Sequence, residues 1–212
     1  MNIQGICLNI GCGLDAPEQW LNIDSSPTLT FSKIPLVGRP LLSTLKGPKW
    51  PKAVKSGDLV SGLSLPENSC ELIFASHVLE HLSVSDCQTA LKNIFYYLKP
   101  EGTFRVIVPD LEALIADYQT SQPSSEAAYD FMDASGIGCK ASRSTFRKRL
   151  AEAISNSRHQ WMWDEPSLKE VLAKQGFKNI RRCQYGEWSD SRFSLVEKED
   201  RHTNAVCLEA SK

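Results

Sequence analysis

The sequence predicts an α/β fold organised around a largely parallel sheet. Short apolar strand-like runs alternate with helical periodicities from one end of the chain to the other. The first run, "GICLNI" (5–10), breaks directly into Gly11-Cys12-Gly13. A second run, "WLNID" (20–24), ends on an acid.

Each further element has its own signal. "AVKSGDL" (53–59) offers a weak third strand, and "CELIFAS" (70–76) a buried fourth with Leu72, Ile73 and Phe74 in succession. Ser85 and Gln88 have the spacing of a capping box. The helix they introduce places Ala90, Leu91, Ile94, Phe95 and Leu98 on one face before Pro100 and Gly102 stop it. "TFRVIVPD" (103–110) is the clearest strand. Amphipathic stretches follow at 110–120, 142–157 and 166–177, the last with Pro166 placed for a helix start. "KNIRRCQY" (178–185) and "NAVCLEAS" (204–211) complete seven expected strands.

The alternation is continuous, so residues 1–212 are expected to form one domain. The exception is 25–52, where Pro27, Pro35, Pro40, Pro48 and Pro51 exclude a long helix or central strand. An irregular insertion with short helical turns is expected there, either covering a ligand cleft or forming a plain surface loop.

Composition narrows the function classes. With 42% hydrophobic and 23% charged residues, neither disorder nor membrane spans are indicated. A formal net charge of −1 argues against bulk nucleic acid or an anionic membrane as principal partner. The seven cysteines are odd in number and contain no CxxC pair, so neither a disulfide framework nor a zinc ribbon is expected. Cys7, Cys70 and Cys207 lie in apolar runs and read as small hydrophobes. "MNIQGICLNIGCG" lacks the basic and long apolar segments of a signal peptide, so a reducing, cytoplasmic setting is expected.

A strand running into Gly-x-Gly turns sharply and aims backbone N–H groups at an anion or carboxylate. Asp24 at the next strand tip can accept both hydroxyls of a ribose. A dinucleotide would require a third glycine where Ala16 stands, and an acid ~20 residues on. Asp24 lies only 11 residues past Gly13, and 14–19 cannot hold a crossover helix. A nucleoside carrying a small carboxylate suits this geometry better than NAD.

"SHVLEHL" (76–82) spaces His77, Glu80 and His81 at i, i+3 and i+4, which on a helix would share one face. The same H-x-x-E-H pattern occurs in zinc peptidases, and Glu152 could supply a third ligand. Here, however, His77 directly follows the buried strand and belongs to a strand-to-helix turn over the carboxyl edge of the sheet. Glu80 and His81 either satisfy each other and nearby backbone or take part in chemistry. Arg143, Arg147, Lys148 and Arg149 form a basic cluster, either a solvated helix face or a recognition site for an anionic substrate.

Four motifs in order, "LNIGCG", "LNID", "GDL…LPENSCELIFASHVLEHL" and "LKPEGTFRVIVPD", resemble the class I S-adenosylmethionine-dependent methyltransferases. The nearest likeness is to small bacterial-type members with a shortened first helix and an H-x-L-E-H segment. The resemblance implies a Rossmann-like fold with a mostly parallel seven-stranded sheet, an antiparallel C-terminal strand and flanking helices. It implies S-adenosylmethionine as cofactor. Gly11, Cys12, Gly13, Ser76 and His77 would lie toward its methionine portion, Asp24 on the ribose, and Asp58 and Leu59 at the adenine, with Asn9 also among the cofactor-binding residues. Some quinone-pathway relatives hold magnesium at comparable positions. His77 here replaces a carboxylate and magnesium prefers oxygen, so no metal is expected.

On this reading the acceptor is a small molecule or glycan precursor, sugar-derived and in some cases anionic, with oxygen slightly favoured. A hydroxyl acceptor needs a base; His77, His159 and Asp110 are the candidates, Asp110 doubling as a helix cap. The alternatives are a cofactor-binding scaffold without turnover and the zinc hydrolase.

Overall fold

The computed structural model describes residues 5–36, 38–44, 47–121, 124–138 and 158–212. Its strands are β1 (Ile6–Ile10), β2 (Leu21–Asp24), β3 (Lys55–Ser56), β4 (Cys70–Ser76), β5 (Leu98–Pro109), β6 (Lys178–Arg182) and β7 (Ala205–Ser211). They form one sheet in the order β3-β2-β1-β4-β5-β7-β6, with β7 antiparallel to both its neighbours and the rest parallel. The expected third strand survives only as two residues. The helices are α1 (Pro27–Ser32), α2 (Gly38–Thr44), α3 (Val84–Tyr97), α4 (Leu111–Thr120), α5 (Ala127–Ala134) and α6 (Glu165–Lys174). Thus the proline-rich stretch carries two short helices. The basic cluster, Glu152 and the expected helix at 142–157 lie outside the described residues.

Helix starts follow local chemistry. The Ser85–Gln88 pairing does not form; Ser83 caps α3 instead, accepting from the Asp86 N–H and donating to its carboxylate. Asp164 and Ser167 make the reciprocal capping box of α6, with Pro166 in its first turn.

Alternation along the strands divides the core. Leu8, Ile10, Ile73, Ala75, Phe104, Val106 and Val108 pack with Ala90, Leu91 and Ile94 of α3 and Leu168 and Leu172 of α6. On the other face stand Cys7, Leu72, Phe74, Ile107 and Cys207. The connection 11–20 is too short for a helix that could cover them. Trp20 and Phe193 do so instead, with ring centroids 5.7 Å apart. Phe193 belongs to the long excursion between β6 and β7, residues 183–204, which folds back across the sheet.

Arg105 fastens this excursion. It is fully buried on β5, donating to Glu197 at 2.7 Å, Glu209 at 2.9 Å and the carbonyls of Gln184 and Glu187 at 3.0 Å. Trp188 Nε1 also donates to Glu197. Removing one partner of a buried ion pair leaves uncompensated charge and costs about 3–5 kcal/mol. Arg105→Ala is therefore expected to lower the urea midpoint by a corresponding amount, whereas Lys174→Ala, which breaks the exposed pair with Glu170, should leave the midpoint unchanged.

Candidate functional site

The parallel strands end together, and their carboxyl edge gathers most of the residues singled out from sequence. The Gly11 and Cys12 N–H groups both donate to the Ile23 carbonyl, at 2.9 and 3.3 Å, which pins the bend to β2. Gly11 has φ +63°, and a Cβ there would stand 2.4 Å from Val78 Cγ2. Gly13, at φ +55°, has open space where its Cβ would be, so a ligand can approach its backbone closely. Its N–H donates to Asp24 Oδ2 at 2.9 Å, while Asp24 Oδ1 accepts from Ser26 N–H at 2.7 Å. The acid and the bend are therefore in direct contact, with lone pairs on both carboxylate oxygens to spare.

Asn9 spends both amide hydrogens internally, on the Asp15 carbonyl (3.1 Å) and on Asn22 Oδ1 (3.0 Å). Asn22 is fully buried and donates to the Pro17 and Trp20 carbonyls, each at 2.8 Å. The two asparagines are paired across β1 and β2 and brace the helix-free connection. Sequence reading passed over Asn22, although the repeated "LNI" placed a polar residue at the same register in both strands. Cys12 packs with Leu29 and Val54, and burial, reinforced by nearby Asp24 and Asp15, pushes its thiol up to about 12. It remains a neutral thiol.

Asp58 is exposed and turned on its own loop, accepting from Val60 N–H at 2.9 Å and the Ser61 hydroxyl at 2.6 Å. Burial alone would raise its pKa, but these bonds outweigh it and hold the carboxyl below its ordinary range. Leu59 beside it is buried in the core. The Gly57 N–H donates to the Asp24 carbonyl at 3.1 Å, keeping this loop against the tip of β2.

Next to the glycine bend lies a hollow of about 40 Å³, lined by Asn9, Gly11, Ser76 and, from the excursion, Val196, Lys198 and Arg201. Ser76 Oγ is buried without a hydrogen-bond partner among the described residues, as expected of a group facing a polar ligand. Small-molecule sites usually enclose ~300–1,000 Å³. The roof is drawn down by Lys198 on Asp15 (2.7 Å) and by the Arg201 carbonyl on His77 Nε2 (3.1 Å), which keeps the hollow small. A cavity of about 510 Å³ opens at the opposite edge of the sheet, beside Gly5, Trp20 and Arg192, remote from these groups.

The H-x-x-E-H residues do not share a helical face. His77 occupies a left-handed turn (φ +54°), its N–H donating to the Ile107 carbonyl at 2.8 Å, and Leu79–His81 form a single 3₁₀ turn. Glu80 is fully buried. His77 Nδ1 lies 3.1 Å from Glu80 Oε1. Both ring nitrogens of His77 thus face acceptors, and although burial opposes charge, Glu80 outweighs it and pushes the pKa up.

His159 arrives from far along the chain. Its Nδ1 donates to the Ser135 carbonyl at 2.6 Å, its Nε2 stands 4.0 Å from Glu80 Oε1, and its ring meets that of His81 edge-on at 4.9 Å. Burial pushes its pKa down, only partly offset by Glu80. The Gln160 and Trp161 N–H groups both donate to the Glu80 carbonyl, stitching this segment to the 3₁₀ turn. Gly136 (φ +67°) makes room for the ring, since a Cβ there would stand 2.5 Å from His159 Nδ1. Neither Gly136 nor this docking has a local sequence signal. Asp110, the third expected base, is 3% exposed, caps α4 through the Glu112 N–H and pairs with Arg182 at 3.2 Å. Its carboxylate is committed to structure.

A family model described as "Methyltransferase domain" matches residues 4–182. No curated protein matches the chain. Among solved structures, the chain is similar to a SAM-dependent methyltransferase from Archaeoglobus fulgidus, at 15% identity and TM-score 0.51, covering 98% of this chain and 86% of that one. It is also similar to the PH0226 protein of Pyrococcus horikoshii OT3, at 14% identity and TM-score 0.54, covering 100% and 83%. These likenesses are of fold. With the family model spanning most of its length and a glycine bend joined to an acid at the carboxyl edge, the chain belongs to the methyltransferase domain family, in the class I S-adenosylmethionine-dependent fold.

Proposed function

We propose that the chain transfers the methyl group of S-adenosylmethionine to a hydroxyl of a small-molecule or glycan-precursor acceptor. The observation that supports the reading is His159 Nε2, held against the turn that follows β4 as an imidazole nitrogen not occupied by a backbone acceptor. When bound, the cofactor supplies an electrophilic methyl with a built-in sulfonium leaving group. The protein's tasks are then alignment, exclusion of water and removal of the acceptor proton.

On this reading the resemblance to class I methyltransferases supplies the further roles. Asp24 takes the ribose hydroxyls, the loop at Asp58 and Leu59 borders the adenine, and Gly11–Gly13 with Ser76 face the methionine portion. The Asn9 amide holds the bend rather than the ligand. His77, with acceptors at both nitrogens, positions Glu80 and passes the role of base to His159. The exposed Trp161 ring, 46% accessible beside Trp163, offers an apolar wall for the acceptor.

Asp24→Ala is expected to abolish S-adenosylhomocysteine binding in a calorimetric titration, with the thermal melt retained. If the wild type itself gives no heat, the cofactor reading fails. His159→Ala should reduce kcat by about 10²–10⁴ with little change in cofactor affinity. Because burial lowers the His159 pKa, the base stays neutral below the ordinary histidine value of ~6.5, and kcat should decline only at lower pH. Cofactor binding with no methylation across a hydroxyl acceptor panel would favour a scaffold instead. Lys198→Ala, which frees one tie of the roof, should speed cofactor association severalfold in stopped-flow fluorescence.

A further inference from the structure

Three of the chain's four histidines stand around one buried carboxylate, a grouping larger than proton removal requires. Glu80 is fully buried, and its Oε2 has no hydrogen-bond partner among the described residues. A bare carboxylate oxygen in the interior is costly unless a donor or a cation meets it. His77 Nδ1 approaches Oε1 and leaves Oε2 open.

The two remaining imidazoles are prepared on their outer sides. His159 Nδ1 lies against the Ser135 carbonyl and His81 Nδ1 against the Arg158 carbonyl, at 2.6 and 3.3 Å. Carbonyls only accept, so each ring carries its bonding proton on Nδ1 and keeps Nε2 for another partner. Backbone acceptors of this kind orient metal-binding histidines and fix their tautomer. Gly136 packed on the His159 ring, and the Gln160 side chain donating to the His81 carbonyl at 2.8 Å, hold both rings in place.

One ligand atom each from Glu80, His81 and His159 lie within 4.8 Å of one another. The 4.0 Å between His159 Nε2 and Glu80 Oε1 is too long for a hydrogen bond. It is also longer than the ~3.4 Å between two ligands of a tetrahedral ion with bonds of ~2.0–2.2 Å, so the side chains would have to rotate inward to complete the site. Two nitrogens and one oxygen disfavour magnesium and calcium and suit zinc-class ions. A second grouping, Glu197, His202 and Cys207, is less suited because Glu197 already neutralises Arg105.

We propose that Glu80, His81 and His159 form a binding site for a divalent transition-metal ion of the zinc class, with a further coordination position open to the cleft. This proposal departs from the expectation, drawn from sequence, that no metal binds. His77 and Glu152, the partners that the peptidase pattern suggested, are not part of it. The inference rests on donor geometry and stands independently of the methyl-transfer reading. His159 Nε2 serves either as a free base or as a ligand, so metal occupancy decides which state of the cluster meets the acceptor.

The test is a calorimetric titration of chelator-stripped, untagged protein with zinc chloride, repeated with cobalt(II) followed by visible absorption. One equivalent should bind. His81→Ala and His159→Ala should each weaken binding about 100-fold, and Glu80→Gln, which preserves side-chain size, serves where an alanine variant fails to fold. His202→Ala should bind zinc as the wild type does. Absence of zinc and cobalt binding overturns the proposal, as does binding that survives both His81→Ala and His159→Ala or is lost in His202→Ala alone. A parallel titration with S-adenosylhomocysteine separates this outcome from failure of the cofactor reading.

Discussion

The connection between β1 and β2 has too few residues for a helix, and much of the rest of the molecule answers that constraint. A parallel pair normally needs a crossover of a dozen residues or more. Here turns alone make the connection, braced by Asn9 and Asn22, and one face of the sheet is left without the helix that would cover it. The excursion between β6 and β7 supplies the missing layer. Phe193 provides its apolar contact and Arg105 its anchorage, because a buried guanidinium with two carboxylates and two carbonyls fixes the path of the chain as well as its depth.

That path has consequences at the carboxyl edge. After Phe193 the excursion continues over the glycine bend, where Lys198 meets Asp15 and Arg201 meets His77. The substitute for a structural helix therefore also roofs the hollow beside the bend. Its ties are an exposed ion pair and one bond to a histidine, both weak beside the Arg105 network below. A firmly held base with a loosely held tip gives a segment able to open without unfolding the face it covers.

Beyond the bend, the 3₁₀ turn after β4 and the segment before α6 act as one unit. Two backbone bonds to the Glu80 carbonyl and one from the Gln160 side chain join them. Three imidazoles around one carboxylate then divide their roles by what each ring nitrogen faces. His77 finds acceptors on both sides and tends to hold its proton. His159 finds one acceptor and, buried, tends to shed its charge. Both shifts originate in placement, since the isolated side chains are identical.

The sequence by itself determined the architecture and half of the site. Alternating apolar runs required a parallel sheet, and a strand breaking into Gly-x-Gly beside a strand ending in Asp24 required a bend and an acid at one edge. Those are local signals, carried by residues a few positions apart or by neighbouring strand tips. The flanks of SHVLEHL likewise placed His77 in a turn after the fourth strand, where it stands, but not the left-handed backbone there, whose N–H bonds to the Ile107 carbonyl of β5. Ser83 displaced Ser85 as the cap of α3 for a similarly small reason, the reach of the Asp86 carboxylate. Only the tertiary structure decided that His159 meets Glu80, that Asp110 is spent on Arg182, and that Arg105 sits charged inside the core. Each of these joins residues about seventy or more positions apart, and no periodicity or spacing records a contact made when distant segments close over the same edge.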